Sequence, residues 1–155
     1  METEVKEKKL KGVGGWLLFF IITLTILNPI VQIVSVVKVF TNIADVPVEL
    51  YNLRNIIIMD SIIGSVVILF GVYAGICLWR VKGNAVKMVK IFFIVGIVYN
   101  IIISAFYVKA IPVLNQVAAK NVVRILAYSG IWYCYLINSD RVKNTYITNN
   151  KELNV

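Results

Sequence analysis

Long uncharged runs, broken by short clusters of lysine and arginine, set the pattern of this chain. After the opening METEVKEKKLK, residues 12–37 carry no charge. A helix needs roughly 20 residues to cross a hydrocarbon core of about 30 Å at about 1.5 Å per residue, so this run is ample. It also exceeds the apolar core of a signal peptide, about 7–15 residues, and no Ala-x-Ala site follows it. An uncleaved helix over 12–37 is therefore expected. A second is expected over 56–79, uncharged over 61–79 between Asp60 and Arg80. A third is expected over 85–108, with Lys87 and Lys90 reaching toward the headgroups. The fourth, 121–139, has the weakest pattern, because it is uncharged only over 125–139. Its assignment as a span leans on Tyr128, Trp132, Tyr133 and Tyr135, whose rings suit a membrane end.

Strands do not fit these runs, which are continuously apolar where barrel strands alternate over about ten residues. A sheet edge in lipid would also leave backbone groups unpaired at several kcal/mol each. The expected fold is all-α: one integral membrane domain over 1–155, four transmembrane helices in an up-down bundle. Residues 1–11 and 140–155 are expected as cytoplasmic tails.

Composition agrees with a lipid-facing surface. Hydrophobic residues make up 59% and charged residues 15%, against about 45–50% and 25% in ordinary globular chains. The net charge of +8 raises the question of nucleic acid. Basic residues separated by long apolar runs form no continuous stripe, so no nucleic-acid partner is expected. They serve instead as topology determinants. The N-terminal tail, the segment Arg80, Lys82, Lys87 and Lys90, and the C-terminal Arg141, Lys143 and Lys151 together hold eleven of the 16 lysines and arginines. Lys38, Arg54, Lys109, Lys120 and Arg124 fall on the other side. Both termini are then cytoplasmic, and residues 38–60, with Asp45, Glu49 and Asp60, form the main outer loop.

Few residues offer chemistry. The chain has no histidine, which removes the commonest general base and metal ligand. Cys77 and Cys134 lie in apolar segments without a Cys-x-x-Cys pair and read as small packing residues. No carboxylate falls inside an uncharged core, and Asp60 is assigned to the outer end of helix two. That argues against a proton-coupled exporter. Gly12-Val13-Gly14-Gly15 lacks the Gly-Lys-Ser/Thr ending of a phosphate loop, and Trp16 after it is an interface anchor. No catalytic residue, cofactor or metal site is expected.

Small and polar residues do line up on helix faces. Gly64, Gly71 and Gly75 share a face with Ser61, and such faces let helix backbones approach, within one bundle or across a homodimer seam. Gly96, Asn100 and Ser104 form a stripe on helix three, and Asn28, Pro29 and Gln32 interrupt helix one. Pro29 cannot donate to the Thr25 carbonyl, so a kink is expected there. Asn28 is the expected partner of Asn100. The two polar faces act either as hydrogen-bonded glue or as the walls of a small polar cavity between helices one and three.

The chain ends carry a resemblance. Gly12-Val13-Gly14-Gly15-Trp16-Leu17 with Asn28-Pro29, and Trp132-Tyr133-Cys134-Tyr135 followed by Ser139-Asp140-Arg141-Val142-Lys143-Asn144-Thr145-Tyr146, resemble a bacterial membrane-protein family catalogued as domain of unknown function 2569. The resemblance spans about residues 10–147 and implies a four-helix inner-membrane protein without an assigned activity. The chain departs from it at Cys134, Asp140 and Tyr146, where members tend to carry proline, a basic residue and phenylalanine. The functional expectation is a non-enzymatic accessory or interaction protein whose basic face meets anionic lipid, with a membrane-protein partner or a second copy of itself. The alternative is a small transporter or channel component with a polar path between helices one and three.

Overall fold

The computed structural model describes residues 12–43, 47 and 51–147. The expectations for Asp45, Glu49 and the tails 1–11 and 148–155 lie outside the described residues. Among those described there is no strand. Four long helices, α1 (Trp16–Asn42), α2 (Tyr51–Trp79), α3 (Ala85–Ala110) and α4 (Asn115–Asn138), precede a short α5 (Asp140–Val142) that winds on through Lys143–Ile147. The helices α1, α2 and α3 are each long and apolar enough to cross a membrane. Helix α4 is not counted among them. Its 24 residues suffice in length at about 1.5 Å each, but its first half carries Asn115, Gln116, Lys120, Asn121 and Arg124.

The boundaries differ from those expected from charge alone. Helix α1 starts at Trp16 rather than residue 12, because Gly12 (φ 96°) and Gly15 (φ 56°) hold the preceding chain in the left-handed region that glycine tolerates. It continues past Lys38, and α2 begins five residues earlier than expected, at Tyr51. A charge marks where a helix leaves hydrocarbon; it does not stop the helix. Between α3 and α4, Ile111 is extended (φ −141°, ψ 97°) ahead of Pro112, as the proline ring requires of its predecessor.

Pro29 acts one turn before itself. Residues Thr23–Leu27 form a π turn in which the Asn28 N–H bonds to the Thr23 carbonyl, a local widening that accommodates a missing donor. The Thr25 hydroxyl meanwhile donates to the Ile21 carbonyl at 2.8 Å.

One apolar cluster joins the start of α1 (Leu17, Phe20, Ile21, Leu24), the end of α2 (Ala74, Cys77, Leu78), the start of α3 (Ala85, Val89, Phe92, Phe93) and the end of α4 (Trp132, Leu136). Successive helices therefore run in alternating directions. Phe20 stacks on Trp132 with centroids 4.4 Å apart, and Phe93 meets Phe20 at 6.0 Å. Helix α4 passes unbroken through Cys134.

Residues 140–147 are not a free tail. Val142 and Tyr146 are buried in the same cluster. The Tyr146 hydroxyl donates to the Leu78 carbonyl at 2.8 Å, and the Gly12 N–H donates to Thr145 Oγ1 at 2.9 Å. Arg141 lies over Gly14, its guanidinium occupying the place a Cβ would take. Leu78 also closes the α2 terminus. The Val81 N–H bonds to Leu78 O and the Lys82 N–H to Cys77 O, a Schellman motif with Val81 at the left-handed position (φ 49°). Valine there is strained, and its side chain packs on the core in return.

Candidate functional site

In the opposite half of the molecule the helices leave an open space lined by polar and apolar side chains. A cavity of about 540 Å³ lies between the later half of α1, the earlier halves of α2 and α4, and the middle of α3. Phe92, Phe93 and Tyr128 form part of its wall where the aromatic core begins. The later part of α1, Asn28–Asn42, has no buried residue, in contrast to its beginning.

With Arg124 as the basic residue of this lining, the acidic one is Asp60. It sits well inside α2, half-buried, nineteen residues before Trp79 or about 28 Å along the axis. The Tyr107 hydroxyl donates to Asp60 Oδ2 at 2.9 Å, and the Tyr99 hydroxyl donates to Oδ1. Each carboxylate oxygen thus accepts from one phenol. Tyr99 and Tyr107 are two turns apart and share a face of α3, which aims both phenols at one helix neighbour. Gly64 makes the approach possible, since a Cβ there would stand 2.9 Å from the Tyr99 hydroxyl and 3.2 Å from Gln32 Nε2.

Helix α4 contributes through one face. Asn121, Arg124, Tyr128 and Ser129 recur at helical spacing and line the cavity. Ser129 is 3% exposed, and its hydroxyl has no hydrogen-bond partner. Tyr128 has the Asn28 side chain nearby, but its hydroxyl closes no hydrogen bond of ordinary geometry. No group of three or more acidic or cysteine side chains gathers among the described residues.

The residues singled out from sequence divide between two settings. Gly64, Gly71 and Gly75 are buried between helices of one chain. Gly71 lies under the Phe92 ring, where a Cβ would be 2.8 Å from it, and Gly75 lies against Thr25 and Leu24. Asn28, Gly96 and Asn100 line the cavity, but Ser104 does not. The expected Asn28–Asn100 pair is absent: Asn100 Nδ2 donates to the Gly96 carbonyl of its own helix at 2.8 Å. Asp60, Tyr99, Tyr107 and the α4 face were not singled out. Their signal was periodic, with Asp60, Gly64 and Ile68 on one face of α2 and the four polar residues on one face of α4.

The model of one family, described as Protein of unknown function (DUF2569), matches residues 10–147. No curated protein and no solved structure matches the chain. Both ends of the matched region meet in the contacts of Gly12 and Gly14 with Thr145 and Arg141.

Proposed function

This chain belongs to the DUF2569 family, and from that premise we propose a four-span protein of the bacterial inner membrane that binds a small polar ligand without chemically changing it. In this reading α4 is the fourth span of an up-down bundle. Both termini are cytoplasmic, and the cavity opens toward the outer face. The basic cytoplasmic end meets anionic lipid, each cation near the surface contributing about 1 kcal/mol, and leaves room for a partner protein. The observation that carries the proposal is the cavity itself: it gathers Asp60 and the polar faces of four helices, while the other half of the molecule is filled with aromatic side chains. Buried polar groups in lipid are costly unless paired or wet, and mark binding sites and pathways. The aromatic end also favours a one-sided pocket over a continuous pore.

Thiol labelling tests this reading. Gly96→Cys, in a background with Cys77 and Cys134 replaced, places a thiol where a Cβ meets nothing within 4 Å. Water-soluble thiosulfonates react with the thiolate, which forms only in water. An impermeant reagent should label Gly96→Cys in intact cells, should leave lipid-facing Ile94→Cys unlabelled, and should reach Asn84→Cys only after permeabilisation. Labelling of Gly96→Cys only after permeabilisation reverses the orientation; no labelling in either state refutes the wet cavity. A transporter shares the cavity, since Asn28 and Gln32 of α1 and Gly96 and Asn100 of α3 line it together. Labelling of Gly96→Cys from both sides of sealed inverted and right-side-out vesicles would select that reading.

A further inference from the structure

We infer that the cavity receives a primary ammonium group on the Asp60 carboxylate, an inference that rests on the cavity being an open binding site. Several hydroxyl and amide protons around the cavity are already spent. The Tyr99 and Tyr107 phenols spend theirs on Asp60. The Ser61 hydroxyl donates to the Ile57 carbonyl at 2.9 Å, the Ser35 hydroxyl to Val31 at 2.9 Å, and the Asn100 amide to Gly96 at 2.8 Å. Tyr99, Ser61 and Ser35 of the lining therefore present oxygen lone pairs to the cavity. They stand with the Asp60 carboxylate on α1, α2 and α3, while α4 contributes Arg124, so the lining carries one acidic and one basic side chain.

Among the described residues no lysine or arginine pairs with Asp60, whose partners are the two phenols. A half-buried carboxylate gains most from a partner that is cationic and donates hydrogen bonds. A primary ammonium supplies one positive charge and three N–H donors. A quaternary ammonium supplies the charge without the donors, and a neutral alcohol supplies a donor without the charge. A divalent metal ion lacks the further acidic ligands it would need. The cavity volume, about 540 Å³, lies in the range of small-ligand sites, about 300–1,000 Å³.

Two sources present this chemistry. Asp60 stands about 28 Å along α2 from Trp79, close to one hydrocarbon thickness of about 30 Å, which places it at headgroup level. A free amine from the aqueous side and the headgroup of phosphatidylethanolamine both reach that level.

Protection of Gly96→Cys from thiosulfonate, measured on the full chain, separates the possibilities. Free ethanolamine is compared with 1-propanol, its uncharged isostere, in detergent. Vesicles of phosphatidylethanolamine are compared with vesicles of phosphatidylcholine, which has the same phosphate but no N–H donor. A ligand at ten times its dissociation constant leaves about one site in ten free, so the reaction slows about tenfold. Slowing by ethanolamine but not propanol supports a free amine; slowing in phosphatidylethanolamine but not phosphatidylcholine supports a headgroup. Asp60→Asn should abolish either effect, its folding checked by a gel-filtration profile and tryptophan fluorescence that match the parent. The isostere comparison on the Asp60 protein stands by itself if that variant does not fold. Equal effects of each pair, or protection that survives Asp60→Asn in folded protein, overturn the ammonium site while the cavity stands. No labelling of Gly96→Cys in any condition overturns both.

Discussion

Two glycines buried in successive helices should answer the same substitution with opposite signs. An alanine Cβ at position 71 would lie 2.8 and 3.1 Å from two ring carbons of Phe92, where carbon contacts relax to about 3.5–4.0 Å. The ring must therefore move by about 0.5–1 Å, by the same contact distances. It is not free to do so, because Phe70 meets its edge at 6.2 Å and Phe93 packs on it at 5.8 Å. Overpacking of this kind costs about 1–3 kcal/mol. At Gly96 nothing stands within 4 Å of the new carbon. Both substitutions gain the helical advantage of alanine over glycine, about 0.5–1 kcal/mol, so it cancels in the comparison. Gly71→Ala should unfold about 1–3 kcal/mol more easily than Gly96→Ala, with Gly96→Ala at or slightly above the parent. Denaturant titration of the three proteins in one detergent, followed by tryptophan fluorescence, measures the difference. Equal stabilities for the two variants, or a loss at Gly96 alone, would refute the packing of α2 against α3 described here.

Two further predictions concern single hydroxyls. Tyr146→Phe removes a buried hydrogen bond to a carbonyl that keeps the Val81 N–H, and should cost about 0.5–1.5 kcal/mol near neutral pH. Burial, with a smaller contribution from Tyr135, pushes the Tyr146 phenol above its ordinary range. The parent's advantage over phenylalanine should therefore hold below about pH 10, the ordinary tyrosine value, and shrink above it as the unfolded state ionises first; a gap that widens above pH 10 contradicts the burial. Ser129→Ala deletes a buried hydroxyl without a partner and should leave thermal stability unchanged or raise it by about 1 kcal/mol, given the cost of an unsatisfied group. A loss of that size would mean that the hydroxyl is bonded, by water or by a cavity ligand.

Much of the helical layout was legible because lipid demands so uniform a surface. Residues 12–37, 61–79 and 91–108 announce helices by the absence of charge, and those elements are present. The same rule hid Asp60. Treating a charge as the limit of the apolar core put it at the outer end of the helix, beside the loop, whereas α2 begins nine residues earlier and carries Asp60 on the face toward Tyr99 and Tyr107. The meeting of the chain ends was not legible either. Gly12 and Thr145 are 133 residues apart, and nothing in either motif alone specifies the other as its partner.

The weak pattern of α4 and the cavity share one physical cause. A helix that faces only lipid and apolar neighbours has no reason to carry Asn121, Arg124, Tyr128 and Ser129 at helical spacing. A helix with one wall on a polar cavity does, and its average hydropathy falls accordingly, while Val123 and Ile131 remain on its exposed surface. The later half of α1 carries the same signature, with Asn28, Gln32 and Ser35 toward the cavity and Ile30, Val34 and Val37 exposed. Among the described residues these faces close few bonds across helices: Ser35 and Asn100 bond their own helices, the Ser129 hydroxyl has no partner, and Asn28 only approaches Tyr128. Glue must cross between helices. Here the polar side chains line the space between them, and among the described residues Asp60 with its two tyrosines bonds across α2 and α3 at the edge of that space.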